Sequence, residues 1–217
     1  MLKHQKIFQN LVLEFKKDST VEGVLVNGSV AVGTATELSD LDLLVFGKKE
    51  AFESSIIDGV TVEIQYMTLA RALERLKSYP MEVYKYLDAK IGYDGGKMQE
   101  IITHAENIFA EYSVSEREQR EIVYWLKSTK LKLTSAFFKN DMLCVAYLTA
   151  TNTWKVLEGI WAVNQKPIPP SSSLYRSYTD LSITPCENWF EQLFTDDVRD
   201  RGQIMLVFID WILQRLE

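Results

Sequence analysis

The chain has little of what would tie it to several common function classes. Its two cysteines in 217 residues, Cys144 and Cys186, have no C-x-x-C partner, so neither a disulfide framework nor a cysteine zinc site is expected. Both lie in stretches with helical spacing and read as free, buried thiols of a reducing compartment. Histidine is equally scarce, and His4 and His104 stand too far apart to suggest a metal site or a triad; each is expected on the surface or in helix packing. There is no basic excess. Lysine and arginine number 24 against 30 acidic residues, a formal charge of −6, whereas nucleic-acid backbones are held mainly by clustered cations. A nucleic-acid partner is therefore not expected.

Long apolar runs are missing too. The most apolar stretch, 204–213, is too short to span a bilayer and contains Asp210. The first 17 residues are charged and amphipathic, unlike a secretory leader. Neither a membrane partner nor export is expected, which makes a cytoplasmic protein the reading. Proline and glycine are few, at 5 and 10, and no repeat or low-complexity tract occurs, so disorder is not expected either.

Two textures divide what remains near Lys97. The first part mixes the helical and strand periods. The spacing predicts a helix over 2–15, strands over 21–26, 41–46 and 51–57, and a hairpin turn at Asp58-Gly59 leading into a strand over 60–67. A helix over 68–87, kinked at Pro80, and a short strand over 90–93 follow. Beyond Lys97 the pattern is helical only: 98–112, then 115–139 opened by a capping box of Ser115 and Glu118, then 141–163. The proline- and serine-rich segment 165–173 reads as a loop. Thr184-Pro185 with Glu187 predicts a second capped helix, and a last helix spans about 196–216. The expected architecture is α+β: a mixed sheet with helices in domain 1–97, then an all-α helical bundle in domain 98–217.

The chemistry concentrates in 24–46, VLVNGSVAVGTATELSDLDLLVF. Aspartate is disfavoured in strands, yet Asp40 and Asp42 flank and enter an apolar run. Residues i and i+2 of a strand share a face, with Cα atoms about 6.6 Å apart at roughly 3.3 Å per residue. Two carboxylates converging at that spacing can share divalent cations, as two-metal phosphoryl-transfer sites require. Alternating acids are also how the wet face of an edge strand looks. What favours the metal reading is Gly28-Ser29 at the end of the preceding strand, ten residues before Ser39, which opens the Ser-Asp-x-Asp run. Glycine lets backbone approach a phosphate, and the serine hydroxyl can donate to one. Glu63, in Val62-Glu63-Ile64, is a third acid on a strand; it completes the metal site or orients the attacking hydroxyl, or else is an ordinary residue of an outward face.

Gly28-Ser29, the spacer 30–39 and Asp40-Leu41-Asp42, with Ser39 before the first aspartate, resemble the signature of the DNA polymerase β-like nucleotidyltransferase superfamily. The wider layout is similar to that of small bacterial members such as the kanamycin and lincosamide nucleotidyltransferases. The resemblance implies metal ligands Asp40, Asp42 and Glu63, which are also the catalytic acids, and nucleotide contacts from Gly28, Ser29 and Ser39. It implies a two-ion Mg²⁺ site, an NTP co-substrate (ATP above others), a small-molecule hydroxyl acceptor, antibiotics included, and a chain able to form a homodimer. A protein-modifying antitoxin-type enzyme and a non-catalytic nucleotide-binding protein are the alternatives. One departure stands out: many relatives carry arginine where Val32 stands. Lys48, Lys49, Lys90 and Lys130 are the candidate replacements. A general base from the helical part would come from Glu118, Glu121, Asp141 or Glu158. The tyrosines and tryptophans there (Tyr124, Trp125, Tyr147, Trp154, Trp161, Trp189, Trp211) are expected mainly in the core.

Overall fold

A computed structural model describes residues 3–217. The chain forms two compact units, 1–111 and 112–217. In the first, β1 (Val21–Asn27), β2 (Leu41–Gly47), β3 (Ala51–Ile57), β4 (Val60–Met67) and β5 (Lys90–Asp94) make one mixed sheet in the order β3-β4-β2-β1-β5. Only the β2–β4 pair is parallel. The central strands β1 and β2 are apolar on both faces because both faces are covered. Val24, Val26, Leu41, Leu43 and Val45 pack under α1 (Lys3–Phe15) through Ile7 and Val12. Leu25, Leu44 and Phe46 face the opposite layer: α3 (Leu69–Ser78), α4 (Tyr84–Leu87) and α5 (Met98–Glu111).

That second layer shifts the domain boundary. The change of texture lies at Lys97, but α5 buries Met98, Ile101 and Ala105 against the sheet, so the compact unit runs on to Glu111. The helix expected over 68–87 is also broken rather than kinked. Proline has no N–H and clashes with the preceding turn, so α3 ends at Ser78, Pro80–Val83 forms a 3₁₀ turn, and α4 restarts as a single turn. At Asp58-Gly59 both residues adopt positive φ, 51° and 80°, the tight turn that suits the strand twist.

The second unit is helical: α6 (Glu116–Phe138), α7 (Met142–Val163), α8 (Ser171–Ser177), α9 (Trp189–Leu193) and α10 (Val198–Leu216). Its core gathers Leu126, Leu133, Val156, Ile160, Trp161, Ile209 and Ile212. Ser115 accepts from the Glu118 amide as expected, but the Glu118 carboxylate takes the Tyr112 hydroxyl at 2.9 Å instead of closing the box. Thr184-Pro185 opens no helix; α9 starts only at Trp189, its cap Asn188 makes no side-chain bond, and Cys186 lies outside any helix. Both thiols are free and half-buried. Segment 165–173 turns helical at Ser171. The aromatic residues divide by helix face. Trp161 and Trp189 are core, whereas Tyr124, Trp125 and Tyr147 lie on outward faces. Among the described residues no helix is long and apolar enough to cross a membrane.

Asp141 caps α7 by accepting from the Cys144 amide at 3.0 Å. Asp141→Ala is expected to destabilise the chain by about 1 kcal/mol, read as a lower urea midpoint with an unchanged slope.

Candidate active site

The register across the sheet assembles the site. Asn27 pairs with Asp42, Asp42 with Glu63, and Glu63 with Ser54, one row running over four strands. Residues paired in this way project to the same face. That face is apolar further along, where Leu25 and Leu44 meet the helices, and turns acidic at the end where β1 and β4 put Asn27 and Glu63 beside Asp42. Asp40 joins from the turn before β2. Carboxylate oxygens of Asp40, Asp42 and Glu63 lie within 4.8 Å of one another, with Asp40 exposed and the other two half-buried. All three predicted acids are therefore together.

Gly28 has a more specific reason to be glycine than closeness to a phosphate. Its φ is +65°, and a Cβ built there would stand 2.4 Å from Asp42 Oδ2. The backbone itself leans on the carboxylate, in a conformation that L side chains avoid. Ser29 follows in α2 (Gly28–Val32), a five-residue turn closed by Gly33. Ser39 lies half-buried before Asp40. Its hydroxyl accepts from the Thr36 amide at 2.9 Å, so it shapes the 33–40 loop.

Three clustered acids repel one another. Burial, with the charges of Asp40 and Glu63 added, pushes the Asp42 carboxyl up to about 6, against the pull of Lys85. Lys85 escaped the sequence reasoning. It sits on α4, with Nζ 3.1 Å from Glu82 and 3.4 Å from Gln65 Oε1. Glu82 also takes Arg75 at 2.6 Å, so an ion network spans the Pro80 break. The only signal was the i, i+3 pair of Glu82 and Lys85, which is ubiquitous on helices. Of the lysines expected to replace the arginine absent at Val32, Lys49 bonds Glu53 and lies over the Tyr66 ring, and Lys130 bonds Asp210. Lys85→Met removes an attraction for ionised Asp42, so its carboxyl is expected to titrate above 6. Carbon-detected NMR of the metal-free protein would check this, an unchanged or lower value contradicting it.

The candidate bases of the helical unit are engaged locally. Asp141 caps α7, Glu121 bonds Arg117 and Glu158 bonds Lys155. Glu118, Glu121 and Glu158 share a cavity of about 210 Å³ with Trp125.

The donor set fits a hard divalent cation. All ligand atoms are carboxylate oxygens, the set that suits Mg²⁺ or Mn²⁺ rather than softer metals, and Asp42 is held at an energetic disadvantage that a cation would relieve.

No curated protein matches the chain. A crystal structure of a nucleotidyltransferase-like protein from Exiguobacterium sibiricum 255-15 superimposes with a TM-score of 0.50 at 10% identity, over 96% of this chain and 74% of that one. At that identity the likeness concerns the fold. The sequence model of the nucleotidyltransferase domain matches residues 9–131, which include the whole sheet and every acid of the site. With more than half its length so matched, the chain belongs to the nucleotidyltransferase domain family.

Proposed function

We infer that the protein transfers a nucleoside monophosphate from an NTP to a hydroxyl of a small-molecule acceptor and releases pyrophosphate. The observation that carries this reading is the convergence of Asp40, Asp42 and Glu63 within 4.8 Å beside Gly28. Asp40, Asp42 and Glu63 would hold Mg²⁺, which supplies Lewis-acid neutralisation of phosphoryl oxygens when bound. The chain's own part is positioning. Gly28 keeps the approach to Asp42 clear of side-chain atoms, and the Ser29 hydroxyl donates to a phosphate oxygen. Glu63 accepts a hydrogen bond from the acceptor hydroxyl and so orients it. The acceptor oxygen then attacks the α-phosphorus in line, the bond to pyrophosphate breaks, and the hydroxyl proton passes to solvent.

The test is a screen of hydroxylated acceptors, aminoglycosides and lincosamides among them, for NTP-dependent pyrophosphate release with Mg²⁺. A labelled small molecule supports the reading. Label appearing on protein instead moves the acceptor to a partner's side chain. Cation-independent NTP binding with no turnover rejects catalysis.

A further inference from the structure

The helix that covers the far face of the sheet carries one buried polar side chain. His4 on α1 is 1% exposed, and its Nε2 lies 2.7 Å from the carbonyl oxygen of Ser39. A carbonyl only accepts, so Nε2 carries the proton. The other ring nitrogen, Nδ1, is buried with no partner among the described residues. As a packing residue this is a poor choice. A hydrogen bond gained next to a buried nitrogen left unpaired returns little net stability, and an apolar side chain of similar size would do as well or better.

The acceptor explains the choice. The Ser39 carbonyl belongs to the peptide unit whose nitrogen is that of Asp40, and a peptide unit is planar. Fixing that oxygen fixes the plane from which the exposed Asp40 side chain departs. The start of the loop is tied to α2, where the Gly33 and Thr34 amides both donate to the Ser29 carbonyl at 3.0 Å. Its later part is closed on itself: Thr36 N–H donates to Ser39 Oγ at 2.9 Å, Ser39 N–H to the Thr36 carbonyl at 3.2 Å, and Leu38 N–H to Thr36 Oγ1 at 3.3 Å. The bonds among Thr36, Leu38 and Ser39 set the shape of that later part without anchoring it to another element. His4 provides that anchor from α1, whose Ile7 and Val12 are fixed in the core beneath β1 and β2.

The geometry points to His4 as a positioning residue of the cation site: its Nε2–H clasps the Ser39 peptide and holds Asp40 in register with Asp42 and Glu63. The inference rests on the reading of Asp40 as a cation ligand. Groups that orient metal ligands typically contribute 10–100-fold to metal affinity.

The experiment compares wild type, His4→Leu, His4→Gln and Ile7→Ala for Mn²⁺ affinity, measured by electron paramagnetic resonance of the free ion, and for thermal midpoint without metal. His4→Leu is expected to keep the wild-type midpoint within a few degrees while Mn²⁺ binds about 10-fold or more weakly. His4→Gln, whose amide can donate to the same carbonyl, restores most of the affinity. Ile7→Ala lowers the midpoint but costs far less affinity than His4→Leu, because the folded protein keeps the His4 Nε2–H bond to the Ser39 carbonyl. Unchanged Mn²⁺ affinity in His4→Leu overturns the inference while leaving the function standing. So does an affinity loss that follows the fall in midpoint equally in His4→Leu and Ile7→Ala. Absence of Mn²⁺ binding in wild type removes both this inference and the proposed function.

Discussion

Asp42→Asn should abolish nucleotidyl transfer and, in the same protein, raise the thermal midpoint measured without metal. The first effect follows from removing a ligand at the centre of the row Asn27–Asp42–Glu63. Metal stabilisation of a phosphoryl transition state is worth several kcal/mol, so the rate should fall on the order of 10³-fold or more. The second follows from the Asp42 carboxyl, raised from 3.8 to about 6 by burial and by the charges of Asp40 and Glu63. A raised carboxyl means that the folded state binds the proton more tightly than the unfolded chain. Stability therefore falls as pH rises from about 4 through 6, and the penalty is complete above that. Asparagine carries no charge and escapes it. Discounted for partial exposure to about 1 kcal/mol, the gain at pH 8 is roughly 2–4 °C for a chain of this size, shrinking towards pH 4. Adding Mn²⁺ should reverse the order, stabilising wild type and not the variant. Equal midpoints at pH 8 would show that the acids do not strain the metal-free fold.

The second large effect is expected at Gly28. Alanine there meets two obstacles, a φ of +65° and a Cβ 2.4 Å from Asp42 Oδ2. The backbone strain is about 1–2 kcal/mol; the contact displaces the carboxylate itself. Misplacement of about 1 Å at a reacting centre lowers rates on the order of 10²-fold, so Gly28→Ala should lose activity far beyond its loss of stability. Gly33 separates the two contributions. Its φ is +84°, but nothing lies within 4 Å of a built Cβ. Gly33→Ala should show the strain in its melting point and retain Mn²⁺ affinity. If both variants lose stability and affinity alike, strain in the Gly28–Gly33 segment explains the pair and the contact with Asp42 does not.

The site was legible to the extent that it is written locally. Asp40 and Asp42 are two residues apart, and Gly28-Ser29 stands at a strand end with ten residues between it and Asp40; such spacings survive in any fold that keeps β1 and β2. Glu63 was legible as an acid on a strand, but an outward-facing glutamate has the same local pattern. Only the parallel pairing of β2 with β4, which sets Asp42 against Glu63, joins it to the others. His4 had no local signal, and Lys85 only the unspecific i, i+3 pairing with Glu82. Each acts on a residue dozens of positions away, Lys85 on Asp42 from beyond the break at Pro80 and His4 on the Ser39 carbonyl from α1. The capping pattern at Thr184 to Glu187 failed for the converse reason: a favourable local motif formed no helix where the Thr184 hydroxyl donates to the Cys186 carbonyl and Asn164, 19 residues earlier, bonds both the amide and the carbonyl of Ile183.

The order of residues alone decides the α+β composition, the strand ends and the acidic pair, because periodicity, turn chemistry and i, i+2 geometry act over a few bonds. Folding decides which acid becomes the third of the cluster, which cation faces it, why position 28 admits no side chain, and that α5 belongs with the sheet. Those outcomes depend on register and burial, and distances between residues remote in the chain are set by nothing shorter than the whole unit.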